Sequence, residues 1–227
     1  MATQVSERAT APTKQSSSMS EPVYGAFGFE TDIAVDPAAI PETMTREQLE
    51  WWVLFTIAVA GKTAKQIEKK MRAFMNLGDL LEGPFGRVRY MIHEKKLGYN
   101  LRRVKLGKYR LLNKGFRKAI TLDLDLLERA DFAHALDLLT VVPGLGPKGA
   151  RMILMYAFPH HANQWVVLDT HILRWLRENG SADVPKSTPP EGRTYKRLER
   201  EFKSIADDRK VTTRQLDTAI WTAYARK

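Results

Sequence analysis

Val141-Val142-Pro143-Gly144-Leu145-Gly146-Pro147-Lys148-Gly149-Ala150 is the stretch whose reading decides the fold. An apolar helical pattern precedes it, and Met152, Ile153, Leu154 and Tyr156 continue a helical pattern after it. Two glycines two positions apart, bounded by prolines, predict a very tight turn. Gly144 and Gly146 both tolerate positive φ and leave the neighbouring amides uncovered. Pro147 suits the first position of the next helix, because its fixed φ is already helical. The stretch therefore reads as two helices joined by a hairpin. A helix start with bare amides suits a phosphate, and such a hairpin can grip one DNA strand by its backbone without reading bases. Lys148 falls in the first turn of the second helix, where the positive end of the macrodipole disfavours a protonated amine. Two roles are open to it: nucleophile, or simple contact with a phosphate.

A second stretch, Trp165-Val166-Val167-Leu168-Asp169-Thr170-His171-Ile172-Leu173-Arg174-Trp175, follows within a few turns. Here an apolar run ends at an aspartate that opens an amphipathic helix. Asp169 is placed to cap that helix through the amides of residues 171 and 172. Beside a nucleophilic lysine, a carboxylate held rigid by its cap can also stabilise positive charge on a sugar or assist proton transfer.

The rest of the chain is helical in pattern. Thr45 and Gln48 form a capping box, and Trp51, Trp52, Leu54, Phe55 and Ile57 make a strongly apolar helix after it. Ala64, Ile67, Met71 and Phe74 mark another beyond the Gly61 break. Residues 77–92 look short and glycine-punctuated. Residues 99–120 and 123–141 read as amphipathic stretches, and 148–158, 170–178, 194–206 and 212–226 complete an all-α list. Trp51, Trp52 and Trp175 read as core aromatics. No run alternates with period two, and no repeat of fixed length suggests a solenoid. Residues 1–44 are expected to be a disordered or irregular segment, rich in Ser, Thr, Ala and Pro. Residues 45–227 are expected to form one helical domain of two lobes flanking a cleft, with the hairpin at its mouth and both chain ends in one lobe.

With 227 residues and 44% hydrophobic content, the chain can bury a full core. Lys plus Arg number 36 against 26 Asp plus Glu, a formal charge of +10, with a pI near 9.8. Residues 1–45 hold two basic and six acidic side chains, so the folded part carries about +14. Residues 86–120 concentrate twelve basic residues against Glu94 alone, with Tyr90, Tyr99, Tyr109 and Phe116 interleaved. That density exceeds what a solvated face needs, and it predicts a phosphate-contacting surface that includes Arg102, Arg103, Lys105 and Lys108. The absence of cysteine excludes disulfides, thiolate nucleophiles and cysteine-held clusters. No apolar run is long enough to span a membrane and no leader pattern is seen, so an intracellular, monomeric protein is expected. Gly61-Lys62-Thr63 lacks the preceding glycine and strand of a phosphate loop, position 56 being Thr56. Lys62 can still reach a phosphate or pyrophosphate at a helix start. His160, His161, His171 and Asp169 match no metal-ligand spacing, and neither metal nor cofactor is expected.

The hairpin and the aspartate segment, at their spacing, resemble the helix-hairpin-helix (HhH-GPD) DNA glycosylase superfamily, the endonuclease III and 8-oxoguanine glycosylase group. The likeness is strongest over residues 100–178. It implies a two-lobed all-α fold and duplex DNA as partner, held through Gly144, Leu145, Gly146 and Gly149. It further implies that Lys148 attacks the sugar C1′ to form a Schiff base, with Asp169 as the catalytic acid. The chain departs from the pattern in two respects. It lacks the four-cysteine cluster of many relatives. Ile57-Ala58-Val59-Ala60-Gly61-Lys62-Thr63 also lacks the amide side chain that fills the hole left by an extruded base. That stretch, with Leu216-Asp217-Thr218-Ala219-Ile220-Trp221, is similar to a phage-associated branch of amino acid:DNA transferases, which modify an activated thymine. The sequence thus implies a glycosylase with lyase activity first. The transferase and a non-catalytic DNA-binding module remain as alternatives.

Overall fold

A computed structural model describes residues 44–77, 83–161 and 163–224. The expectation for residues 1–43 lies outside them. The described residues form eleven α-helices: α1 (Arg46–Val59), α2 (Ala64–Met75), α3 (Pro84–His93), α4 (Leu97–Arg103), α5 (Tyr109–Ala119), α6 (Leu124–Arg129), α7 (Phe132–Thr140), α8 (Pro147–Ala157), α9 (Thr170–Glu178), α10 (Arg193–Asp208) and α11 (Thr213–Tyr224). None is long and apolar enough to cross a membrane.

Local chemistry explains most of the boundaries. Thr45 accepts from the Gln48 amide while Gln48 Oε1 accepts from the Thr45 amide, which is the expected capping box on α1. The start of α3 is capped from a distance. Gly83 offers no side chain to α3, and buried Glu50 from α1 accepts from the Phe85 amide at 3.0 Å. The glycine-punctuated stretch read over 77–92 overlaps α3 (Pro84–His93), ten residues long. The 99–120 pattern breaks at Lys105, Gly107 and Lys108, whose φ values are 54°, 71° and 47°. The 123–141 pattern breaks at Asp131, which accepts from the Ala133 and His134 amides and starts α7 afresh. A periodic apolar face runs across these breaks, so periodicity alone does not show them.

Two cores hold the helices together. Buried residues of α1 to α8 form the first, continuing to Phe158, Trp165 and Val167. Val166 and Leu168 join α9, α10 and α11 in the second. α1 belongs to the first core, and α11 packs on α9 and α10 in the second. Trp51, Trp52 and Trp175 are buried as expected. The cores meet at the extended segment 165–168, whose side chains alternate between them. Among the described residues no strand pairs with it to satisfy its carbonyls. Thr213 donates to Trp165 O at 3.1 Å, Tyr195 to Val166 O at 2.6 Å, and Thr188 to Leu168 O at 2.6 Å. Buried carbonyls need partners, and three side-chain hydroxyls provide them. Arg151 of α8 ties the same joint, its guanidinium lying 5.3 Å from the Trp165 ring and 4.6 Å from the Tyr195 ring and paired with Glu191.

The hairpin between α7 and α8 is pressed against α1 and α5. Gly144 has φ +96°, and a Cβ there would lie 2.9 Å from Ile57 Cγ2. Gly146 instead has φ −85° and ψ 175° as the residue that starts α8, so only one of the two glycines uses the left-handed region. On the facing side, a Cβ on Gly115 of α5 would meet the Pro143 carbonyl oxygen at 2.3 Å. That neighbour is backbone and cannot yield cheaply. Gly115→Ala is expected to lower the free energy of unfolding by about 3 kcal/mol, as overfilling a packed interior does. Gly146→Ala, with nothing within 4 Å of the added carbon, should lower it by less than about 1 kcal/mol. Urea unfolding midpoints of the two variants check the difference.

Candidate active site

Lys148 is the second residue of α8, held at the corner where Pro147 opens that helix. Asp169 sits at the other end of the joint, immediately after the extended segment and before α9. Its Oδ1 accepts from the His171 amide at 2.8 Å and the Ile172 amide at 2.9 Å. The helix cap read from the sequence is therefore present, and it locks the carboxylate in place. Both side chains line one cavity of about 780 Å³, within the roughly 300–1,000 Å³ of small-ligand pockets. Its walls come from both cores: Trp52, Phe55 and Thr56 of α1, Met152 and Tyr156 of α8, and the last turns of α11. A cap and a cavity wall are compatible duties, because capping engages Oδ1 from the helix side.

No family model and no curated protein matches the sequence. Solved structures do. The 8-oxoguanine glycosylase/lyase of Methanocaldococcus jannaschii, crystallised with a 15-mer DNA containing 8-oxoguanine, is 22% identical, with 80% of this chain and 82% of that chain covered and a TM-score of 0.61. The 8-oxoguanine DNA glycosylase of Thermotoga maritima is 19% identical over 81% of this chain and 82% of that one, with a TM-score of 0.58. A further structure of the Methanocaldococcus jannaschii enzyme gives 22% identity, 80% and 79% coverage, and a TM-score of 0.56. The fold is that of the 8-oxoguanine DNA glycosylases. It is the all-α architecture that the hairpin and aspartate segment imply.

Within this glycosylase fold, the cavity contains a carboxyl group whose role the sequence does not disclose. Asp217 of α11 is 6% exposed and lines the same space as Lys148 and Asp169. The Tyr156 hydroxyl donates to its Oδ1 at 2.5 Å and lies 3.3 Å from the Thr218 hydroxyl. Burial pushes the Asp217 carboxyl up to about 7, and the charge of Asp169 adds to the rise. The Tyr156 hydrogen bond and the Lys148 charge act in the opposite direction. Tyr156 is pushed well up for the same reason, first by burial and then by Asp217. Residues 216–221 show a helical face and the resemblance to the transferase branch, and neither assigns Asp217 a role. The pairing of Tyr156 with Asp217 spans 61 residues and carries no sequence signal.

The other expected contacts divide by position. Gly144, Gly146, Gly149 and Lys62 line the cavity with Lys148. Leu145 does not: it is 3% exposed in the first core, and its amide donates to Val142 O at 2.9 Å. Its side chain packs inward from between the two glycines and anchors the hairpin. Arg102, Arg103, Lys105 and Lys108 are exposed and lie outside the cavity wall. Among the described residues, no cluster of three or more His, Cys, Asp or Glu could hold a metal ion.

The raised Asp217 has a definite sign. Its folded form keeps a proton between about pH 4 and pH 7 that the unfolded chain releases, so its contribution to stability falls as pH rises through that window. Asp217→Asn keeps an acceptor for Tyr156 and removes the buried charge. It is expected to be more stable than the parent by about 2 kcal/mol at pH 7.5, with the gap closing near pH 4. Urea titrations at both pH values check this.

Proposed function

We propose that this protein is a DNA glycosylase with lyase activity, acting inside the cell as a monomer on duplex DNA. The observation that carries the reading is the convergence of Lys148 and Asp169, from different helices and opposite sides of the core joint, on one cavity of nucleotide-accommodating size. The hairpin glycines 144, 146 and 149 would bring backbone amides to a phosphate. The exposed Arg102, Arg103, Lys105 and Lys108 would add a salt-sensitive hold on the flanking backbone. A nucleotide extruded from the stack would enter the cavity between α1, α8 and α11.

Lys148 would act as the free amine. Its Nζ attacks C1′, the C1′–N bond breaks with its electron pair going to the departing base, and the base takes up a proton. The nitrogen gives up one proton, the C1′–O4′ bond breaks with O4′ taking up a proton to leave a protonated Schiff base, and loss of a C2′ proton then expels the 3′ phosphate. The Asp169 carboxylate, held by two amides, would offset the positive charge that builds on the sugar. Removal of a group of this kind lowers rates by roughly 10² to 10⁴.

A second reading keeps the fold and changes the chemistry: transfer of an amino group to an activated thymine. It is favoured by the corner Ala60–Ala64, which lines the cavity but carries no amide side chain to fill the gap left by an extruded base. Borohydride treatment of the protein with abasic duplex separates the readings. A covalent adduct is expected, absent in Lys148→Ala. In Asp169→Asn, duplex affinity should stay within threefold while turnover falls at least a hundredfold. Trapping that persists without Lys148 would overturn its role. Tight duplex binding with no trapping would favour the transferase, and an Asp169→Asn variant unchanged in every chemical step would leave only a DNA-binding module.

A further inference from the structure

The corner between α1 and α2 lies against the loop between α4 and α5, and lysines lace the two together. Lys62 from the first donates to Leu106 O of the second at 2.5 Å, and Lys108 from the second donates to Ala60 O of the first at 2.8 Å. Lys70 donates to Lys105 O at 2.9 Å in the same place. Each ammonium has three N–H donors, and one such bond uses only one of them. The backbone is bent to bring the lysines together: Gly61, Lys105, Gly107 and Lys108 all have positive φ, between 47° and 71°. Two of these are lysines in a conformation that residues with a side chain seldom adopt. Among the described residues, no carboxylate is within ion-pair distance of Lys62, Lys70 or Lys108.

Burial and crowding in this corner both act on Lys62. Burial, then Lys108, then Lys70 lower the tendency of Lys62 to stay protonated. Three like charges held in one corner without a counter-charge repel one another, and an anion bound there relieves the repulsion. Lys62 also lines the central cavity, so such an anion would sit beside whatever occupies it.

We propose that Lys62, Lys70 and Lys108 form a phosphate-binding subsite at the edge of the cavity, where Lys62 reaches the wall, separate from the hairpin. The phosphate is either a backbone phosphate of the strand whose nucleotide enters the cavity, or a phosphate or pyrophosphate borne by the small-molecule part of the ligand. The inference rests on the cavity being the ligand site. It does not depend on Lys148 chemistry.

The test uses the full chain and Lys62→Gln/Lys108→Gln, in which each glutamine amide can still donate to the carbonyl its lysine engaged. A charge-matched control, Lys65→Gln/Lys69→Gln, removes two other lysines of α2. A melting temperature for both double variants within a few degrees of the parent shows that they fold. Binding of inorganic pyrophosphate, without DNA, is followed by the fluorescence of the cavity tryptophans 52 and 221. Duplex affinity is measured against salt concentration. If the phosphate belongs to the small ligand, pyrophosphate binds the parent below 1 mM and the site variant at least tenfold more weakly, with the control unchanged. If it belongs to the DNA backbone, pyrophosphate does not bind. The site variant then loses at least tenfold in duplex affinity and about 2 in the slope of log K against log salt, and the control loses less than threefold. Absence of pyrophosphate binding together with equal duplex losses in the two variants overturns the proposal. Loss of borohydride trapping in Lys148→Ala is independent of all these outcomes, so the two readings can fail separately.

Discussion

The hairpin can sit where it does only because two glycines leave no side chain in the way. Gly115 admits the Pro143 carbonyl to the surface of α5, at a distance that would be 2.3 Å from a Cβ. Gly144, at φ +96°, admits Ile57 of α1. These approaches fix the direction in which Pro147 launches α8, and that direction aims Lys148 at the cavity. Leu145 is driven into the core from between the glycines, and its burial anchors the turn. A lysine on this corner therefore inherits its position from packing several residues away. Interiors packed to crystal-like density transmit such constraints with little give.

The second element of the site is set by hydrogen bonding. Segment 165–168 is extended yet has no neighbouring strand among the described residues, and it is held by hydroxyls from Tyr195, Thr188 and Thr213. Its end is pinned by the cap that Asp169 makes on α9. Packing thus fixes the amine and a backbone hydrogen-bond network fixes the carboxylate. The two meet because the segment carrying Asp169 is the joint between the cores. Asp217 joins them from α11, and its behaviour depends on the other two: burial and the charge of Asp169 favour its protonated form, and Lys148 favours its ionised form.

Local interactions made much of this legible in the sequence. The capping box on α1, the Asp169 cap, the proline start of α8 and the bounds of α9 each involve atoms a few residues apart, where side-chain type decides the outcome. The same locality explains the misreadings. The pattern over 123–141 reads as one helix because the apolar face continues through it, and the chain stops at Asp131 because a nearby carboxylate offers the next amides a better partner. Gly146 can take positive φ, as Gly144 does, yet it adopts an extended conformation as the start of α8.

From its residues alone, the chain determined an all-α fold, the hairpin with Lys148 on its second helix, the capping aspartate and a strongly basic stretch ahead of them. These are short-range facts, decided by dihedral preference, hydrogen-bond reach and charge density. Only the tertiary structure decided that Lys148 and Asp169 share a cavity, that Leu145 faces inward and that α1 and α11 belong to different cores. It alone buried Asp217 against Tyr156 and brought Lys62, Lys70 and Lys108 into one corner. Burial and charge repulsion depend on which distant groups exclude water from one another. Spacing along a chain does not encode that.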